Sequence, residues 1–177
     1  MKSTSLTALG GILTALSVFI MFLSSVFPFL SYTLPAFAGA LLLIMVKEAE
    51  KKWSVMVYAA VSILLLIIVS NKEAVVLYIF FFGYYVVLKE IIEKRFSFVM
   101  KWIFKFIIFN VSIVLAFVVI IYIFAVPVEE LKEYGKYSAY IMLGIGNIIF
   151  IIYDYALTNL MVVYDKHWHK QFLKIFK

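Results

Sequence analysis

Along the chain, long apolar stretches alternate with short polar breaks. Six stretches stand out: Leu6–Phe27, Leu30–Val46, Trp53–Val69, Ala74–Leu88, Phe106–Val126 and Tyr137–Tyr164. A helix needs roughly 20 residues to cross the hydrocarbon of a bilayer, so each stretch has about the length of one span. The fourth is short by itself; it reaches spanning length over 74–92 if Lys89 snorkels and Ile91 and Ile92 join the helix. Pro35 stands near the start of the second, where a first helical turn tolerates it. Runs such as Val75–Phe82 lack the polar–apolar alternation of a spanning β-barrel strand. The pattern therefore predicts an all-α membrane bundle of six helices in one domain, residues 1–177.

Composition supports this. Apolar residues make up 66% of the chain and charged residues 15%. A domain of 177 residues cannot hide that much apolar surface in its own core, so lipid must solvate the rest. Lys2 precedes an apolar run, but Leu6–Phe27 is much longer than a signal-peptide core of roughly 7–15 residues. The chain has no cysteine, which excludes disulfides and thiolate chemistry.

The net charge of +6 is explained by topology rather than by nucleic acid, because the basic residues fall between the apolar stretches. Thirteen of the 16 lie before the first stretch and after the second, fourth and sixth; only Lys72, Lys132 and Lys136 lie on the opposite side. The positive-inside rule then places both termini in the cytoplasm. Two basic–aromatic segments, 93–105 with Phe96, Phe98 and Trp102 and 166–177 with Trp168, Phe172 and Phe176, are expected to lie at the headgroups. The loop 128–136 is acidic-rich and expected outside.

The most informative residue is Asp154, inside the sixth stretch. A carboxylate at that depth is costly, so it should face the bundle interior with a partner. At 100° per residue, Gly144, Asn147, Asp154 and Thr158 share an arc of about 80°, a polar stripe that must point inward. It serves either a substrate, ion or proton site or a hydrogen-bonded packing role. In the first stretch Thr7, Gly10, Gly11, Thr14, Ser17, Ser24 and Ser25 cluster on one face, and Ala36 and Ala40 repeat the small-xxx-small spacing. Such faces suit close helix packing, for instance against Gly144, or docking to another membrane protein. Asn110 and Asn159 lie at similar depth and are candidates for a cross-helix hydrogen bond. Tyr78 and Tyr85 read as packing aromatics, and His167 and His169, two apart, point to opposite faces and make a poor metal pair. Neither a metal nor another cofactor is expected. No phosphate loop, zinc-protease helix or Ser–His constellation is present, so an enzyme is not expected.

Leu13-Thr14-Ala15-Leu16-Ser17-Val18, Pro28-Phe29-Leu30 and Leu34-Pro35-Ala36-Phe37-Ala38-Gly39-Ala40, within this six-helix layout, resemble the substrate-binding S components of energy-coupling factor transporters. The resemblance implies a vitamin or metal-ion binder in a bacterial plasma membrane, coupled to a transmembrane partner driven by ATPases. It implies docking through Gly11 and Ala15, with Ala36 and Ala40 as a second small-residue face. It places Ser31, Tyr32 and Thr33 in a gating loop and Asn71, Lys72 and Glu73 near the pocket mouth, with Asn147 and Asp154 contacting the ligand. The first outer loop departs from many family members in carrying no charge. The competing readings are a non-transporting scaffold, for example in cell-envelope synthesis, and a small ion- or proton-coupled carrier. The latter needs an internal repeat, and the two halves of the chain show none.

Overall fold

The computed structural model describes residues 3–124 and 138–168. Within them every regular element is helical: α1 (Ser3–Val26), α2 (Thr33–Glu48), α3 (Lys51–Ile68), α4 (Lys72–Arg95), α5 (Phe98–Tyr122) and α6 (Ser138–Val163, continued by a π turn over Tyr164–Trp168). The loop 128–136 and most of the basic–aromatic segment 166–177 lie outside the described residues. The helices run up and down. Ser25 and Asn71 meet at one end, here the upper; Lys47 and Asp165 pair at the other, the lower.

Five of these helices are long and apolar enough to cross a membrane. The exception is α2. The sequence predicts its span over 30–46, but Pro28–Leu30 form a separate 3₁₀ turn and the helix begins only at Thr33. Its 16 residues reach about 24 Å at 1.5 Å per residue, short of a hydrocarbon core of about 30 Å. That length is tolerated because α2 is packed in protein, with Leu34, Ala38, Leu42 and Met45 buried.

The pair α2–α4 forms the centre. In α4, 61% of the apolar window is buried, against 17% to 28% for the other four long helices, and no large apolar side chain of α4 is exposed among the described residues. On one side lies a core of Leu9, Leu13, Val57, Val61, Leu65 and Tyr78 from α1, α3 and α4. On the other, Phe81, Tyr85, Phe109, Phe150 and Leu157 join α4, α5 and α6. The outer faces of α1, α3, α5 and α6 expose Phe19, Ile67, Ile107 and Ile152, as expected of surfaces solvated by lipid.

Two glycines set the close contacts of α4, Gly39 that with α2 and Gly83 that with α3. A Cβ on Gly39 would overlap the carbonyl oxygen of Phe82, and one on Gly83 would lie 2.7 Å from the Tyr58 ring. Both contacts fall at a π turn in α4, Tyr78–Phe82, where the ordinary i→i−4 ladder is broken. Tyr58 of α3 donates its hydroxyl to the carbonyl of Ile79 at 2.7 Å and so satisfies a group in that turn. Tyr58→Phe should therefore lower stability by about 1 kcal/mol, the usual net value of one hydrogen bond. Thermal unfolding in detergent checks this, and an unchanged midpoint would remove the hydroxyl from the account of the turn.

The small-residue face of α1 divides. Gly10 and Ser17 turn inward, Gly10 toward Val57 and Ser17 toward the carbonyl of Ala38 at 3.4 Å. Gly11 and Ala15 are exposed, and nothing lies within 4 Å of a Cβ built on Gly11. Gly144 is also exposed with open space around it, so the expected packing of α1 against it does not occur; α1 packs on α2 and α3 instead.

Candidate functional site

Below the centre of the bundle four charges close into a ring. Asp154 accepts from Lys89 of α4 at 2.6 Å and from Lys105 of α5 at 2.8 Å, one lysine on each carboxylate oxygen. Both lysines also reach Glu93, at 2.7 and 2.8 Å. The hydroxyl of Tyr85 donates to Asp154 at 2.7 Å. The lysine at 89 is 0% exposed, and Lys105 and Asp154 are buried. Two cations and two anions leave the ring with no net formal charge, which makes its burial tolerable.

The ring corrects the reading of two basic residues. Lys89 does not snorkel to the outside, and Lys105 turns into the bundle rather than out toward solvent or lipid. The expected interfacial segment 93–105 is instead the last turn of α4 and the first two turns of α5, joined at Phe96 and Ser97. Because α4 runs on to Arg95, Lys89 sits nearly two turns inside its end and one turn from Glu93. The sequence carried a signal for this in the i,i+4 spacing of Lys89 and Glu93. Nothing in it pointed to Lys105.

Asn147 is on the stripe with Asp154 but not in the ring. It exchanges side-chain hydrogen bonds with Asn110 at 2.9 and 3.0 Å, and each amide also donates to a carbonyl of its own helix. The cross-helix partner of Asn110 is thus Asn147; Asn159 is exposed on another face. Thr158 donates to the Asp154 carbonyl at 2.9 Å.

Above the ring, a cavity of about 610 Å³ opens between α2, α4, α5 and α6. Its walls are apolar and aromatic, among them Phe81, Phe109, Phe117, Phe150 and Ile145, with Tyr32 and Thr33 also lining it. Phe109 and Phe150 stack at 4.6 Å between ring centroids, and Phe81 meets both edge-on. Tyr153 completes the lining, directly before Asp154 in the chain. Ala36 faces this cavity, whereas Ala40 packs against the α4–α6 core, so neither belongs to one external face with Gly11 and Ala15.

The upper-end residues Asn71, Lys72 and Glu73 do not line the cavity. Asn71 caps α4 by accepting from the Ala74 N–H, and its amide donates to the Ser24 carbonyl and to Ser31 Oγ. Lys72 donates to the carbonyls of Leu66 and Val69 at the end of α3. Glu73 accepts from the Tyr32 hydroxyl at 2.6 Å, tying the first loop to α4 beside the cavity. Among the described residues no group of three metal-ligating side chains forms. Comparison with protein-family models, with curated proteins and with solved structures gives no match, so the fold and these two sites carry the functional argument alone.

Proposed function

We propose that this chain is the substrate-binding membrane subunit of a multi-component uptake system and takes a largely apolar small molecule into the cavity beneath Tyr32 and Thr33. The observation that carries the proposal is the cavity itself. Its volume of about 610 Å³ falls within the roughly 300–1,000 Å³ typical of small-molecule sites. Its lining is aromatic and aliphatic with few polar groups, which suits such a ligand better than a free anion. The Tyr32–Glu73 bond is in place to hold the first loop beside it.

Orientation follows from the charge asymmetry. With Lys89 and Lys105 withdrawn into the ring, seven basic residues among the described ones still fall on the lower side against one, Lys72, on the upper. The lower end is therefore cytoplasmic, both termini lie inside, and the cavity belongs to the outer half. No nucleotide motif is present, so energy comes from an ion gradient or from a partner such as a transmembrane coupling subunit with ATPases. The open face at Gly11 and Ala15 is the surface offered to it. Asp154 and Asn147, already engaged with Lys89, Lys105 and Asn110, serve the helices that frame the cavity rather than the ligand.

Ala36→Trp places an indole in the cavity from the α2 wall. Small molecules extracted from the wild type and this variant, purified from native membranes, should differ by one enriched compound that the variant lacks. Equal recovery from both, at matched thermal stability, would reject the cavity as the site. A second reading, a scaffold in cell-envelope synthesis, is favoured by the neutral ring that seals the bundle below the cavity. Co-purification with envelope-synthesis enzymes, and with neither ATPases nor a small molecule, would decide for it.

A further inference from the structure

A second opening lies lower, on the flank of the bundle between α5 and α6. Its volume is about 470 Å³, and its back wall is formed by Glu93, Lys105 and Asp154 of the ring. The sides are apolar and exposed: Phe98 on α5, and Ile151, Ile152 and Tyr155 on α6. Lys101 and Trp102 stand in the lining on the α5 side, one turn before Lys105. The lysines differ in what they have to bind. Lys105 is held by Asp154 and Glu93 and lies 5.2 Å from the centre of the Trp102 ring, whereas Lys101 has no ion pair among the described residues. The ring is neutral in itself, so Lys101 is the uncompensated charge of this opening. The indole N–H of Trp102 also has no acceptor among the described residues.

We infer that this opening seats one anionic phospholipid, its phosphate at Lys101 and Trp102 and an acyl chain along Ile152 and Tyr155. A cation and an indole N–H at the mouth of an exposed apolar slot match the two ends of that molecule. A free phosphate would use the same cation but would leave the apolar walls without an occupant. The two carboxylates behind Lys105 disfavour an anion pushed deeper, so the phosphate stays at the mouth. The site is separate from the upper cavity, and its occupation does not depend on the uptake reading. Only the assignment to the cytoplasmic leaflet rests on the orientation given above.

Native mass spectrometry of the detergent-purified protein, titrated with phosphatidylglycerol or with phosphatidylcholine of the same chains, tests this. One phosphatidylglycerol should be retained in preference to phosphatidylcholine. Lys101→Gln should weaken that retention about five-fold, since one basic residue near a lipid surface contributes on the order of a five-fold effect. Ile152→Trp, at a position 64% exposed and so free of folding demands, should weaken both lipids by filling the slot. Equal retention of the two lipids, or phosphatidylglycerol binding indifferent to both substitutions, would overturn the site. Loss of the bound lipid on adding millimolar inorganic phosphate alone would overturn the lipid in favour of a free anion.

Discussion

Asp154→Asn is expected to cost about 3–5 kcal/mol of stability, the range seen when one member of a buried ion pair is removed. The substitution keeps the shape of the side chain and removes its charge. Lys89 and Lys105 then share the single carboxylate of Glu93, so one positive charge stays buried without a counterion. Tyr85 loses a charged acceptor for a neutral one, a smaller loss in the same direction. The effect should fall on α6 above all, because Asp154 ties that helix to both α4 and α5 and the rest of α6 is the least buried of the long helices. The measurement is a thermal or denaturant midpoint in detergent, with proteolysis reporting whether α6 detaches first. The double variant Asp154→Leu with Lys105→Met provides the decisive comparison. It removes one charge of each sign and leaves the pair Lys89–Glu93 neutral, so it should be more stable than Asp154→Asn alone. A double variant no better than the single one, or a single one as stable as the wild type, would show that charge balance does not hold these helices together.

How far such a ring can be read in advance depends on which partner is considered. Asp154 was legible because a lone carboxylate in an apolar stretch has to face inward, and helical periodicity says which neighbours share its face. Its partners were hidden by their surroundings. Lys89 and Lys105 border a stretch rich in Lys and Arg, where the positive-inside rule and snorkelling explain any basic residue equally well. Only the true helix ends, Arg95 and Phe98, reveal that both lysines lie inside helices. Asn110 offered a similar ambiguity. Counting depth from helix ends matched it with Asn159, but α5 begins at Phe98 rather than Phe106, and side-chain direction around α6 selects Asn147. Asn71, expected near the pocket mouth, instead caps α4 by accepting from the Ala74 N–H. The upper cavity follows from how loosely α5 and α6 close against α2, a tertiary property with no motif. Of the loop residues expected near a pocket, Tyr32 and Thr33 reach it because they open α2, while Asn71, Lys72 and Glu73 are taken up by helix ends and by Tyr32.

The least legible feature carries the second large effect. Gly39 looks like one more small residue in a stretch that also holds Ala36, Ala38 and Ala40, yet it is where α2 meets the backbone of α4. A Cβ there would overlap the Phe82 carbonyl oxygen and lie 2.8 Å from its carbon. A flexible side chain would move aside at little cost; a backbone carbonyl in the most buried of the long helices cannot move without shifting the π turn and the Tyr58 bond beside it. Gly39→Val is therefore expected to destabilise by about 3 kcal/mol or more, the upper part of the overpacking range, and to lower the yield of folded protein. Gly11→Ala supplies the contrast within the same fold. Its Cβ enters open space on a helix, where alanine is favoured over glycine by roughly 1 kcal/mol, so stability should be unchanged or slightly raised. Detergent-resistant folding followed by gel filtration, with thermal midpoints for the fraction that survives, separates the two. If Gly39→Val folded as well as Gly11→Ala, α2 and α4 would not cross in contact at this point. The cavity that α2 walls through Ala36, one turn away, would then lose its fixed frame.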